Sequence, residues 1–295
     1  MSDLRDREYT QRWLPGVPVE YVALGVGGPK VRYIRVGQGP ALVLMHTVRT
    51  QLDIFQRVIP KLAQHFTVYA FDYPGFGWSE IVPGGDYREP AFRQHVVNFV
   101  ERLNLRDVTL AGESMGATLA LTAASALGNR VTRVVAFNTY DYFPGLERAN
   151  FLAWFIIKWV RAPFVGPVFA ALENRMILKG IMSGGVYDPS TLPPDFIDEL
   201  DRVGKRKGYS KVARAVYKSL SSYVAAKALY GKLKVPVVMV YGDHDWSRPS
   251  DRSASIAKIP GAAQVELLNT GHFASMEDPD QFAQILIDSK SVSGD

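Results

Sequence analysis

The chain has 295 residues, of which 47% are hydrophobic and 21% charged, a balance typical of a globular protein with a sizeable core. It contains no cysteine, which excludes a disulfide scaffold, a thiolate nucleophile and a cysteine-ligated metal. The net charge of +5 comes from basic residues that are mostly scattered, and the one dense basic cluster, residues 202–208, lacks interleaved aromatic residues. We therefore expect a small-molecule substrate rather than a nucleic acid.

The sequence also bears on location. Residues 1–18 lack a basic leader followed by an apolar run, which favours a cytoplasmic protein. The longest apolar segment, residues 151–160, is interrupted by Lys158. A membrane-spanning helix needs about 20 apolar residues, so no membrane span is expected. Nothing in the sequence predicts the oligomeric state.

Short β-branched and apolar runs predict eight strands, at residues 19–24, 30–36, 41–46, 66–72, 108–113, 131–137, 235–241 and 264–268. Most of those after the first two are apolar almost throughout, as in parallel strands covered on both faces. Helical patterns lie between them, for example at residues 92–103. The alternation predicts an α/β fold with a mostly parallel sheet of eight strands flanked by helices.

The alternation stops between residues 139 and 232, a stretch that is rich in aromatic residues and helical patterns but has no convincing strand. A structureless loop of this length is improbable inside a compact domain. We therefore expect an inserted helical cap at residues 140–230, with residues 1–139 and 231–295 forming the core.

Ser114 is the candidate nucleophile. It lies in Gly-Glu-Ser-Met-Gly, residues 112–116, where a predicted strand meets a predicted helix. A sharp turn of this kind strains its central residue, so the neighbours must be small. A serine hydroxyl also needs a general base nearby, and the base needs an orienting acid. The pentapeptide alone is a common pattern, so the assignment of Ser114 as a nucleophile depends on other motifs in the chain.

Five histidines are available as the base. His65 and His95 fit surface or packing positions in helical patterns, whereas His272 lies in a turn after the last predicted strand. The other two, His46 and His244, follow the third and seventh strands. Elimination favours His272 as the general base.

Two carboxylates, Asp243 and Asp245, follow the seventh predicted strand at the sheet edge where α/β folds bind ligands. Asp141, after the sixth strand, is a third candidate for the acid. The chain order serine, aspartate, histidine matches one of the known orders of a catalytic triad.

Several motifs together resemble those of α/β-hydrolase fold proteins with a helical cap, over about residues 19–286. Residues 112–116 resemble the nucleophile elbow, and residues 72–79 resemble the Asp-x-x-Gly-x-Gly-x-Ser loop after the fourth strand. Residues 242–245 resemble the acid loop, in which the carboxylate falls three residues after the glycine, so Asp245 is preferred over Asp243. Gly271 and His272 resemble the final base motif. The resemblance implies a cofactor-free, metal-free serine hydrolase similar to esterases and meta-cleavage-product hydrolases.

One motif departs from the family pattern. Members usually carry His-Gly after the third strand, but here Thr47 follows His46. The resemblance implies an oxyanion hole built from the amides of Met115 and Val48. Thr47, a β-branched residue in place of glycine, leaves the second donor open.

The substrate pocket is predicted from position. Arg49 either binds a substrate carboxylate or pairs with Asp53. His46 is a further substrate-binding candidate, although it also suits a role in holding its loop by hydrogen bonds. Trp154 and Phe155, in the cap, are expected to line an apolar pocket.

These observations predict an enzyme that cleaves a small ester or related acyl compound through a Ser114 acyl-enzyme. A C–C bond hydrolase of ring-fission products is an alternative, because Arg49 suits an anionic substrate. A ligand receptor with slow turnover is another, since neither a fold nor a triad fixes a function.

Overall fold

All eight predicted strands are present in a computed structural model that describes residues 5–291. They are β1 (Val19–Ala23), β2 (Lys30–Val36), β3 (Ala41–Met45), β4 (Thr67–Phe71), β5 (Val108–Glu113), β6 (Val131–Phe137), β7 (Val237–Gly242) and β8 (Ala263–Leu267). Their ends differ from the predicted ends by at most two residues.

The strands form one sheet in the order β1-β2-β4-β3-β5-β6-β7-β8. The β1–β2 and β2–β4 pairs are antiparallel, and the other pairs are parallel. The predicted α/β fold with a mostly parallel eight-stranded sheet is therefore confirmed. Since β3, β5, β6 and β7 are neighbours that run in the same direction, the loops after them meet at one edge of the sheet.

Among residues 5–291, seven α-helices lie outside the stretch 140–236: α1 (Arg5–Trp13), α2 (Ile59–Leu62), α3 (Glu89–Arg102), α4 (Met115–Leu127), α11 (Pro249–Ile256), α12 (Ala274–Glu277) and α13 (Pro279–Asp288). Every residue of β5 is buried, because helices cover both faces of the sheet. Helix α4 is buried over most of its length. Its small residues let it pack closely on the strands beside it.

From residue 140 to 236 the described chain contains helices and turns but no strand. The helices are α5 (Phe151–Arg161), α6 (Gly166–Ala171), α7 (Arg175–Ser183), α8 (Pro194–Gly204), α9 (Tyr209–Ser219) and α10 (Ser221–Ala226). Asn150 and Asn174 cap α5 and α7, since each side chain accepts hydrogen bonds from first-turn amides. The division of the chain into a core and a helical cap at residues 140–230 stays a prediction, and we use 'cap' as a name for these residues.

A buried ion network holds the loop that follows β3. Arg32 donates from Nε to Asp72 and from Nη2 to Asp53, both at 2.6 Å, and all three side chains are fully buried. Asp72 also accepts a hydrogen bond from the amide of Leu52 at 2.8 Å. Burial alone would raise the pKa of Asp53, but the charge of Arg32 and the hydrogen bonds from Arg32, Thr10 and Trp13 together outweigh it and hold that pKa below its usual value. The loop of residues 72–79 is thus held against the loop that follows β3.

Candidate active site

Ser114 lies on a strained turn between β5 and α4. Its φ of 58° and ψ of −116° are unusual for a residue with a side chain. A Cβ on Gly116 would lie 2.0 Å from the carbonyl oxygen of Met45, and one on Gly112 would lie 2.5 Å from Gly116. Only glycine fits at both positions, which is why the turn can pack directly against β3.

The side chains of Ser114, His272 and Asp245 come together at this edge, although they are far apart in sequence. His272 Nε2 is 2.7 Å from Ser114 Oγ, and His272 Nδ1 contacts Asp245 Oδ1. All three residues are buried. This is the hydrogen-bond geometry that a nucleophile, base and orienting acid require.

The carboxylate of Asp245 is held in its charged form. Its second oxygen accepts a hydrogen bond from the amide of Ser247 at 3.0 Å and also contacts the Ser247 hydroxyl. Burial by itself would raise the pKa of Asp245, but the His272 ring and the Ser247 hydrogen bonds outweigh it and lower that pKa. A charged Asp245 can therefore fix the imidazole with its proton on Nδ1.

The imidazole is fixed on several sides. The Trp246 ring stacks on the His272 ring with centroids 3.7 Å apart. The His272 amide donates to the Gly185 carbonyl at 2.7 Å, and Asn138 Nδ2 donates to the His272 carbonyl at 3.1 Å. Glu277 accepts hydrogen bonds from the amides of residues 187, 188 and 271. The turn that carries His272 is thus tied to the segment between α7 and α8.

The two other candidate acids lie elsewhere. Asp243 accepts hydrogen bonds from the amides of Asn269 and Thr270 at 3.0 Å, so it shapes the turn before His272. Asp141 is buried between Tyr230 and Ser255, each 2.9 Å away, and burial raises its pKa. Of the three carboxylates, Asp245 is the one in contact with the imidazole.

The loop after β3 places Val48 in a turn beside Ser114. The Thr50 amide donates to the Thr47 carbonyl at 3.3 Å, and Arg49 has a φ of 61°. Within residues 5–291, neither the Val48 amide nor the Met115 amide donates a hydrogen bond to another residue. Both N–H groups are therefore unpaired donors near the nucleophile. Thr47 does not prevent the turn, because Arg49 takes the left-handed conformation.

A small, partly open cavity lies above Ser114, with a volume of about 30 Å³. A single water needs about 10 to 15 Å³ by a comparable measure, so the cavity offers about two to three times that space. The apolar part of the wall comes largely from the segment between β6 and β7, and includes Leu146, Leu178, Ile181, Met182 and Leu220. Tyr140, Tyr217 and Arg49 add polar groups.

Comparison with known proteins identifies the family. Residues 40–279 match the α/β-hydrolase fold family. The chain belongs to this family. The hydrolase is 26% identical over 269 residues to pyrrolizixenacetamide deacetylase of Xenorhabdus hominickii, a match covering 88% of this chain and 94% of the relative.

Two solved structures share the hydrolase's fold. One is Cfl2 from Burkholderia cenocepacia, with a TM-score of 0.80 and 23% identity over 93% of this chain and 96% of the other. The second is 2-hydroxy-6-oxo-6-phenylhexa-2,4-dienoate hydrolase from Rhodococcus sp. strain RHA1, with a TM-score of 0.76 and 20% identity over 92% of this chain and 98% of the other.

The prediction that Trp154 and Phe155 line the pocket of this hydrolase is wrong. Both side chains lie on the outer face of α5 and are exposed. The inner face of α5 carries Ala153, Ile156, Ile157 and Val160, which are buried in the cap. The pocket wall comes instead from α7, where Leu178, Ile181 and Met182 share one face.

The predicted pairing of Arg49 with Asp53 is also wrong, because Asp53 is bound to Arg32. Arg49 instead forms a largely buried ion pair with Glu173, which lies between α6 and α7. Its guanidinium also lies 4.6 Å from the centre of the Tyr209 ring. Arg49 therefore connects the loop after β3 to the cap while remaining part of the cavity wall.

His46 does not line the cavity and is fully buried. Its Nδ1 is 2.9 Å from the Thr47 carbonyl, to which it donates, and its Nε2 accepts a hydrogen bond from the Tyr73 amide at 3.3 Å. Burial lowers the pKa of His46 to about 4, so the ring is neutral at pH 7. This matches the loop-holding role and contradicts a place among the substrate-binding side chains.

Two polar residues that support the site were not predicted from the sequence. Glu173 has no sequence signal, since its role depends on how the cap packs. Glu113 accepts hydrogen bonds from the Ser275 amide at 3.0 Å and the Ser275 hydroxyl at 2.9 Å, which ties the elbow to α12. The wall residues of α7 did have a signal, because 178, 181 and 182 have helical spacing.

Two further features bear on cofactors and membranes. Within residues 5–291, no three His, Asp or Glu side chains cluster in a way that could hold a metal ion. No helix in this range is both long and apolar enough to cross a bilayer.

Proposed function

We propose that this hydrolase cleaves small esters or related acyl compounds through an acyl-enzyme on Ser114. The observation that carries the proposal is the 2.7 Å contact between Ser114 Oγ and His272 Nε2, with Asp245 on the other ring nitrogen. A hydroxyl in this arrangement can lose its proton as it attacks a carbonyl carbon.

In the first half-reaction, the Ser114 proton moves to His272 Nε2 while Oγ bonds to the carbonyl carbon. The oxyanion accepts hydrogen bonds from the amides of Met115 and Val48. His272 then gives the proton to the leaving alcohol, and the acyl group stays on Ser114. In the second half-reaction, His272 takes a proton from water, the hydroxide attacks the acyl carbon, and the proton returns to Ser114 Oγ. Asp245 stabilises the imidazolium throughout.

The size and the apolar lining of the cavity favour a substrate with a short acyl group. Its volume is about 30 Å³, and much of its wall is apolar. A curated relative is named a deacetylase, and removing an acetyl group is the transfer of a two-carbon acyl unit. Acetyl and propionyl esters are therefore the first substrates to test.

The test uses p-nitrophenyl esters of increasing acyl length with the wild type and Ser114→Ala. We expect acetate to be hydrolysed faster than hexanoate, with a burst followed by steady turnover. Ser114→Ala should lower kcat by about 10⁶-fold. Ser125→Ala, a matched serine on α4 whose hydroxyl bonds only to the Thr122 carbonyl, should be unaffected. One equivalent of product without further turnover would contradict the proposal and support a receptor.

A C–C bond hydrolase is the second candidate, and Arg49 is the observation that favours it. Arg49 lies in the cavity wall, and its Nη1 has no hydrogen-bond partner among the described residues. A substrate carboxylate could bind there. Arg49→Ala would then raise KM for vinylogous diketones that carry a carboxylate and leave neutral esters unchanged. An equal effect on both substrates would support a role limited to the ion pair with Glu173.

A further inference from the structure

The excess positive charge of the chain is concentrated in the cap. Residues 140–230 contain 13 basic and 8 acidic residues, so their net charge of +5 equals that of the whole chain. Residues 202–234 contain ten basic residues and no acidic one. The rest of the molecule is balanced. Any strongly charged partner of the cap is therefore expected to be anionic.

The cap also exposes a row of aromatic side chains, which we call the aromatic ridge: Phe151, Trp154, Phe155, Trp159 and Phe164. Phe164 is 94% exposed and Phe151 76% exposed. The rings of Phe151, Trp154, Phe155 and Trp159 form a continuous surface, since the centroids of successive neighbours are 5.6 to 6.3 Å apart. Phe164 lies three residues after the end of α5. Val168 on α6 and Leu172 directly after it are also exposed. Contiguous apolar surface of this kind marks an interaction site.

Basic side chains flank the aromatic ridge. Lys158 Nζ lies 4.9 Å from the centre of the Trp154 ring. Beside Pro167 on α6, a groove of about 700 Å³ is lined by Lys211, Arg214 and Lys218. Between residues 151 and 187 the one acidic residue is Glu173, and its charge is neutralised by Arg49. Within residues 151–187, an anionic surface would therefore meet cations and no unpaired carboxylate.

The composition and charge favour a lipid surface over a second copy of the chain. Tryptophan and phenylalanine beside lysine and arginine are typical of protein surfaces that bind at the membrane interface. A dimer through the aromatic ridge would instead bring two caps of net charge +5 face to face, and the repulsion would oppose it.

We propose that the cap docks on an anionic lipid bilayer through the aromatic ridge, with Lys158, Lys211 and Lys218 facing the lipid headgroups. Helix α7 packs against α5, which carries most of the ridge, and also reaches the cavity. Its Leu178, Ile181 and Met182 line the cavity, while Met176 and Lys179 are exposed. Docking on the ridge would thus take place next to a helix that forms part of the cavity wall. The proposal does not depend on the catalytic role of Ser114.

The test is co-sedimentation of the full chain with phosphatidylcholine vesicles, with and without phosphatidylglycerol. We expect binding to the anionic vesicles that weakens as salt is raised. Phe164→Ser should lower the partition constant by about tenfold or more, because a fully exposed ring loses its apolar contact with lipid. Lys211→Glu combined with Lys218→Glu should weaken binding to anionic vesicles only.

Leu268→Ser is the matched control, since Leu268 is 66% exposed but lies after β8, outside the cap. It should bind vesicles like the wild type. The proposal is overturned if the wild type does not sediment with anionic vesicles, or if Leu268→Ser and Phe164→Ser lose binding equally. It is also overturned if analytical ultracentrifugation shows a dimer that Phe164→Ser converts to a monomer, since a second copy would then cover the ridge.

Discussion

Replacing Glu113 by glutamine is expected to stabilise the protein at alkaline pH. Glu113 lies beside the nucleophile and is fully buried. Burial raises the pKa of Glu113 to about 8, although the two hydrogen bonds from Ser275 act in the opposite direction. Glutamine has the same shape, and it can accept from the Ser275 amide and donate to the Ser275 hydroxyl. The substitution therefore removes the ionisation and keeps the contacts.

The magnitude follows from the difference between the folded and unfolded pKa values of Glu113. Below its ordinary value of 4.5 both states are protonated, so the ionisation has no effect on stability. Between 4.5 and about 8 only the folded state keeps its proton, so stability falls as pH rises. Above about 8 both states are ionised, and the free energy of unfolding falls no further. The total loss is about 4 to 5 kcal/mol, because each pKa unit between the two states corresponds to about 1.4 kcal/mol.

The assay is equilibrium urea unfolding followed by tryptophan fluorescence, at pH about 5 and pH about 9. The stability advantage of Glu113→Gln over the wild type should grow by several kcal/mol between these conditions. Glu101→Gln is the matched control, because Glu101 is exposed on α3 and should show no pH-dependent difference. An equal advantage of Glu113→Gln at both pH values would refute the reasoning.

Three further predictions test the support of the site. Asp245→Asn should lower kcat on p-nitrophenyl acetate by about 10⁴-fold, because the amide no longer fixes the His272 tautomer; a loss below about tenfold would contradict this role. Arg32→Met should lower the free energy of unfolding by about 3 to 5 kcal/mol in urea, since Asp53 would be buried without a counter-charge; an unchanged value would show that the network adds no stability. Because burial lowers the pKa of His46 to about 4, stability should fall as pH drops from about 6.5 to 4, and His46→Gln should flatten that dependence by up to about 3 kcal/mol; parallel pH curves would contradict it.

The sheet and the three side chains that meet at its edge could be predicted from the sequence for a physical reason. Strands covered on both faces are apolar throughout, so β3, β5, β6 and β7 are visible as runs. Because parallel strands end at one edge, residues that directly follow them are brought together whatever their separation in sequence. Ser114, Asp245 and His272 are all placed by this rule, and the structure puts them in contact.

The cap could not be predicted to the same depth, because its geometry depends on how helices pack on one another. An aromatic run in an amphipathic helix does not show which face is turned inward, and Trp154 and Phe155 proved to be on the outer face. Glu173 meets Arg49 only because the start of α7 packs over the loop after β3. Neither the outward orientation of these two aromatic side chains nor the Arg49–Glu173 contact follows from a spacing in the sequence.

The most direct test of the central claim is labelling with a fluorophosphonate, followed by mass spectrometry of the digested protein. We expect a single adduct on the peptide that contains Ser114, formed much more slowly in His272→Ala because the hydroxyl then has no base. An adduct on a different residue, or labelling of Ser114 at the same rate in His272→Ala, would contradict the claim that this hydroxyl is activated by the imidazole 2.7 Å away.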